Sequence, residues 1–340
     1  MKHPSSWNRS DLHHHLQHAL NLELWTIPLY LTALYSIKDL KKLKHNEYPD
    51  AAKLILSVVV QEMLHMELVC NISNALGHSP RFEHPSYDEQ KGIPFIHPAK
   101  NYLPPELNGY TVKPHALNEN SLRLFCAIEL PHPKKEIDWE KEKTYNSIAD
   151  LYEALKMGIS ALWNECYVGD ERNTKQKNTF TEYHNIHGKS HGFSQNVHSV
   201  ETAIKAIDAI IEQGEGADTK HVPADFRPHP VEGGKGFETG GYKGNLSHYQ
   251  KFRMLLHSHN QLPSVYTETN GEKNMTVQQN LKKIFSDFLA EMQDNFNNDL
   301  EEMPDPFWKN MFALGDALTA VWESGLCPDF NFTIIDKPGY

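Results

Sequence analysis

Cysteine is scarce in this 340-residue chain. Its four cysteines, Cys70, Cys126, Cys166 and Cys327, are scattered, and no two form a Cys-x-x-Cys pair. That spacing argues against a thiolate zinc site or a redox dithiol and for reduced thiols. No uninterrupted apolar run approaches the roughly 20 residues that span a bilayer. The segment Met1 to Trp7 has no signal-peptide apolar core, so a cytoplasmic location is expected. Positive charge is in deficit, with 33 Lys and Arg against 44 Asp and Glu, a net charge of −11. This balance argues against nucleic-acid partners and against docking on an anionic membrane. There is no internal repeat. The tract from Glu232 to Gly241 is rich in glycine but lacks the strand–loop–helix setting of a phosphate loop. What remains is a chain that is 39% hydrophobic and 23% charged, long enough to bury a large core.

The stretch Gln61 to Leu68 lies in a long helical pattern from about Ala51 to Leu76. Ala51, Ile55, Val58, Val69, Ile72 and Leu76 recur at helical spacing. Glu62 and His65 occupy that stripe, four residues after Val58 and four before Val69. Residues three apart share a helix face, so this carboxylate and this imidazole point together into the core. A buried ionised carboxylate is costly unless it is paired or bound to a metal. Glu-x-x-His facing the inside of a bundle is the half-site of dinuclear metal carboxylate proteins.

The preceding helix starts at Ser10 as N-cap and carries Leu12, Leu16, Ala19, Leu20, Ile27, Tyr30 and Leu34 on one face. Glu23 stands on that face. Pro28, inside the pattern, predicts a kink just beyond it. The polar link 38–48 and Pro49 at the next helix start make the two helices an antiparallel hairpin. Gly77 is a natural C-cap. From His78 to about Asn118 no period is visible. Ser121 to Leu130 is a short apolar segment, and Glu129 is either a neighbour of the site or the end of that turn before Pro131.

Later helices are expected at about 147–163, from Ser199, from Leu246, and at 277–296 and 306–322. Glu153 flanks the stripe of the first of these, while Asp150 falls on the opposite, solvent side. Glu212 and Glu215 stand three apart at the end of the next helix, where carboxylates oppose the helix dipole; a metal would offset that cost. His248 shares a face with Phe252 and Leu255. The chain has 21 histidines, most of them in loops. His184 and His187 lack an apolar helical frame and read as loop residues.

Leu22 to Ile37 resembles the opening signature of the ferritin-like domain of iminophenyl-pyruvate dimer synthase, a violacein-pathway class. Glu62-Met63-Leu64-His65-Met66, Ser147 to Leu155, Glu212-Gln213-Gly214-Glu215-Gly216 and Ser247-His248-Tyr249 resemble its later blocks, in the same order. The resemblance spans about Leu12 to Phe252. It implies an all-α, ferritin-like four-helix bundle with long irregular excursions and additional C-terminal helices. Residues 1–260 form the bundle, with inserted loops at 79–145, 168–198 and 217–245, and 261–340 form a helical extension. The family pattern often has Glu where Asp150 stands, so position 150 or 153 serves the site. The family activity is oxidative coupling of two amino-acid-derived imines. The violacein enzyme is far longer, so its reaction does not carry over intact.

The metal-ligand set so assembled is Glu23, Glu62, His65, Glu153, Glu212 or Glu215, and His248. Carboxylate and imidazole donors suit two iron ions, with manganese as the alternative. The expected activity is a dinuclear iron oxidoreductase using O2 on a small, amino-acid-derived molecule, with a homodimer as the expected assembly. The rival readings are a metal-storage or manganese-catalase-like peroxide-dismutating protein and a non-enzymatic helical interaction module.

Overall fold

Two side chains fix the start of the first helix. In the computed structural model of the chain, the Asn8 carboxamide accepts the Asp11 N–H at 3.0 Å, while the Asp11 carboxylate accepts the Asn8 N–H at 2.8 Å. This capping box sets helix α1 at Arg9–Tyr35, with Asn8 rather than Ser10 as N-cap. The structure describes residues 1–89, 91–94, 96, 103–131, 137–139, 144–179, 196–215, 246–269, 275–299 and 303–331. Helix α1 continues through Pro28.

Helix α2, Asp50–Ala75, ends in a Schellman turn. Gly77 takes a φ of 74°, and the His78 and Gly77 amides reach back to the Ser73 and Asn74 carbonyls. The helix is buried on all sides, so it is the central element of the bundle. By length and composition it could cross a membrane, contrary to the expectation from run length. However, 83% of its most apolar window is buried inside the protein, the behaviour of a core helix.

Helix α3, Glu119–Ile128, occupies the short apolar segment read at Ser121 to Leu130, inside the expected inserted loop 79–145. A second capping box, Asn118 with Ser121, makes it more than a turn. It buries Leu122, Leu124 and Phe125 and packs against α6. Helix α4, Ile148–Cys166, is capped by Ser147; α5 spans Val200–Glu215, and α6 spans His248–His257 behind the Ser247–Gln250 capping box. Helices α1 and α2 pack along each other, α4 lies against α1 and α5, and α6 touches α2, α3 and α5.

Helices α7 (Met275–Asn297) and α8 (Asp305–Glu323) form a further pair, and α8 packs on α1. The Trp322 indole donates to the Thr32 carbonyl at 3.0 Å, and the Asn74 amide donates to the Phe296 carbonyl at the same distance. Among the described residues there is no β-strand, only the isolated bridges Ile37–Val265 and Ile96–Tyr145. All four cysteines are free.

Candidate metal centre

Each bundle element carries at least one polar group into the same interior volume. Glu23 comes from α1, Glu62 and His65 from α2, Glu129 from the C-cap of α3, and His248 from the first position of α6. All five are at most 3% exposed. One ligand atom from each of Glu62, His65 and His248 lies within 4.8 Å of the others. The two imidazole rings stack with centroids 5.3 Å apart.

The contacts fall into two similar chains. In the first, the Tyr152 hydroxyl on α4 donates to Glu23 Oε1, Glu23 Oε2 lies 3.5 Å from His65 Nδ1, and His65 Nε2 lies 2.9 Å from Gln213 Oε1. In the second, the Tyr30 hydroxyl donates to Glu129 Oε1 at 2.6 Å and Glu129 Oε2 lies 3.6 Å from His248 Nδ1. His248 Nε2 then lies 3.1 Å from Gln61 Oε1. Glu62 stands between them, with Oε1 2.8 Å from His248 Nδ1 and Oε2 accepting the Thr26 hydroxyl at 3.0 Å. Each imidazole therefore turns Nδ1 toward a carboxylate and is held from behind by a glutamine carbonyl. An imidazole that donates its outer N–H keeps the lone pair of the other nitrogen for a metal.

Burial, reinforced by the neighbouring Glu129 and Glu23, holds the Glu62 carboxyl well above the ordinary range. Burial pushes His248 down, keeping its ring neutral. For Glu23, burial acts upward, but the hydrogen bond and charge of His65, with Tyr152, leave it lower than usual. The Tyr30 and Tyr152 phenols are pushed far up by burial, so both remain donors.

Three carboxyl groups in one buried volume repel one another when ionised, and a divalent cation removes that conflict. Beside them is a small cavity of about 10 Å³, room for one water-sized body. Glu23, Glu62, His65 and Glu129 form its polar wall, and Ile148, Ile210, Ile211 and Gly214 its opposite wall. Oxygen and imidazole donors around a void of this size fit iron or manganese.

The structure brings together Glu23, Glu62, His65 and His248 from the sequence-derived set. Glu153 is not among them: it is exposed and pairs with Lys156 at 3.0 Å. Asp150 is also unlike its expectation. It is 1% exposed rather than solvent-facing, and its carboxylate accepts the Asn146 N–H at 3.0 Å beside the N-terminus of α4. What α4 contributes is Tyr152. Glu212 is buried on α5, and its neighbour Gln213 is bonded to His65 of the cluster. The side chain of Glu215, the histidines at 184 and 187 and the Gly-rich insertion lie outside the described residues. Glu129 takes the place expected of Glu153. Its sequence signal is the step of four from Phe125, which continues the apolar stripe of α3 to its last position.

A family model described as ferritin-like matches residues 16–257. The solved structure of a ferritin-like protein from Caulobacter vibrioides is similar to this chain at 27% identity. The match covers 96% of this chain and 99% of that one, with a TM-score of 0.73. A comparison with curated proteins finds no match. Since the family model covers well over half of a chain that folds as a helical bundle around carboxylates and imidazoles, the chain belongs to the ferritin-like family.

Proposed function

We propose that the chain is a dinuclear non-haem iron oxidoreductase that uses O2 on a small, amino-acid-derived molecule. The observation that carries this reading is the cluster of Glu23, Glu62, His65, Glu129 and His248, buried at 3% exposure or less in an apolar bundle. Glu23 and His65 would hold one ion, Glu129 and His248 the other, and Glu62 would lie between them. Glu212, buried on α5, is a further carboxylate candidate. When bound, the metal pair supplies electrons to O2 and a strongly oxidising site.

The residues themselves do the remaining work. Tyr152 and Tyr30 each hold one oxygen of a carboxylate and aim the other into the cluster. Gln213 and Gln61 orient the imidazoles. Ile148, Ile210 and Ile211 keep bulk water away from the reacting volume. The resemblance to iminophenyl-pyruvate dimer synthase supports an imine or amino-acid-derived substrate.

The test is metal content per chain in protein purified without chelator, beside Glu62→Ala and His248→Ala, followed by O2 uptake with amino-acid-derived imines. About two irons in the parent, lost in both variants, supports the reading. A folded parent that neither contains nor takes up metal overturns it.

The small size of the cavity favours one second reading, a peroxide-dismutating protein with manganese. Such a site needs room for peroxide alone. Rapid peroxide dismutation by the manganese-loaded protein, with no substrate-dependent O2 uptake, would replace the first reading with this one.

A further inference from the structure

We propose that Lys251 makes the two halves of the cluster unequal, so that metal ions enter in order, the Glu23–His65 half first and the Glu129–His248 half second. The inference rests on the dinuclear reading above.

The two chains of contacts match group for group until their outer ends. Behind His65 stands Gln213, whose Oε1 meets the imidazole Nε2 at 2.9 Å. Behind His248 stands Gln61, whose Oε1 is shared. Lys251, fully buried one turn along α6, donates its ammonium to that oxygen at 2.6 Å, and His248 Nε2 approaches it at 3.1 Å.

A lysine ammonium has donors only, so it dictates that Gln61 presents its oxygen and not its NH2. The Gln61 Nε2 is accordingly a buried atom with no hydrogen-bond partner among the described residues. The shared oxygen also fixes His248 as a donor through Nε2, leaving Nδ1 as the ligand atom.

Two consequences of the buried ammonium act in one direction. The charge-assisted bond from Lys251 draws on the oxygen that His248 uses, so His248 has the weaker acceptor behind it and is the poorer electron donor of the two imidazoles. A buried cation beside the second half opposes the arrival of another cation. Burial pulls the Lys251 pKa down to about 7, with Glu129 and Glu62 acting against that fall. An incoming ion must therefore either face the ammonium or displace its proton, and both outcomes weaken binding.

A separate geometric difference acts the same way. The carboxylate–imidazole distances within the two halves are alike, 3.5 Å for Glu23–His65 and 3.6 Å for Glu129–His248, but Glu62 Oε1 also lies 2.8 Å from His248 Nδ1, a contact that an ion entering the second half must break. The small cavity is lined by Glu23, Glu62, His65 and Glu129, so it touches the carboxylates of both halves but only the His65 imidazole.

Anaerobic titration of the full chain with Co(II), followed by calorimetry and visible absorption, tests the order. The parent should take up cobalt in two steps separated by about tenfold or more in Kd. His65→Ala should remove the tight step, and His248→Ala only the weak one. Lys251→Met should tighten the weak step by about tenfold, and Lys251→Gln, which removes the charge but keeps a donor for Gln61, should do so if the apolar variant fails to fold. Two equal steps in the parent, or an unchanged separation in a folded Lys251 variant, would overturn the inference while leaving the dinuclear reading intact. No cobalt uptake by the folded parent would overturn the dinuclear reading and this inference together.

Discussion

Glu129 accepts the Tyr30 hydroxyl at 2.6 Å across 99 residues of chain, and this bond joins the end of α3 to the C-terminal part of α1 beside the carboxylate–imidazole cluster. The Tyr30 ring packs against Phe125 and Phe252, with centroids 4.7 and 5.0 Å away, so α1, α3 and α6 meet at one aromatic contact. Glu129 is therefore placed by tertiary packing. Tyr30→Phe keeps the ring and removes the hydroxyl. A hydrogen bond to a charged acceptor contributes about 1.5–3 kcal/mol, so the melting temperature should fall by several °C. Metal affinity should drop by about tenfold as Glu129 loses its orientation. Unchanged metal affinity in the folded variant would remove Tyr30 from the positioning of the site.

Glu62 makes the metal-free protein less stable. Its folded pKa is raised above the unfolded value of about 4.5, chiefly by burial and then by Glu129 and Glu23. The favourable contribution of such a group is complete below pH 4.5 and is lost as pH rises toward the folded pKa. Glu62→Gln should therefore leave the metal-free melting temperature at pH 7.5 unchanged or higher, while abolishing the stabilisation that added metal gives the parent. Thermal melts with and without Mn(II) measure both effects. A strongly destabilised metal-free variant would contradict the repulsion argument.

Glu153→Ala should keep full metal content and change stability by less than about 0.5 kcal/mol. The side chain is exposed, and its partner Lys156 keeps a second ion pair to Asp208 at 2.8 Å. Loss of metal in this variant would return Glu153 to the ligand set.

Two partly buried histidines, His18 on α1 and His78 just after α2, should make the protein acid-sensitive. Burial pushes His18 down to about 3 and His78 down to about 4, from an unfolded value near 6.5. Their contribution is present above pH 6.5 and is lost progressively as pH falls toward the folded values. His18 is close-packed with His14, with Nε2 atoms 2.9 Å apart, and His78 meets Gln17 at 3.1 Å, so protonation has a local cost. In a Glu62→Gln background, which removes the opposing term, the melting temperature should fall by several °C between pH 7 and pH 5. His18→Gln with His78→Gln should flatten that slope. A flat profile over this range in the Glu62→Gln background would refute the assignment.

The carboxylate–imidazole cluster also separates two kinds of information. Glu23, Glu62, His65 and His248 were legible in the chain because each interrupts an apolar helical stripe, and periodicity alone places a residue on an inward face. The end of α2 at Gly77 was legible for the same local reason, since a C-cap acts within one turn, whereas the start of α1 was read two residues late, at Ser10 rather than Asn8. Glu129 was only half legible. It follows a ten-residue helix and precedes Pro131, so nothing nearby distinguishes a helix end in solvent from one in the core. Glu153 misled because it flanks its stripe, and the rotation of α4 against α1 and α5 carries it outward and brings Tyr152 in.

The sequence by itself determined an all-α chain, its inward-facing carboxylates and imidazoles, and the spacing that pairs Glu62 with His65. Those features depend on periods of three and four residues and on caps, which are local. Only the tertiary structure decided that α3 delivers Glu129, that Gln61 and Gln213 stand behind the two histidines, and that Lys251 is buried behind one of them alone. These pairings join residues far apart in the chain, and they are set by how the helices pack.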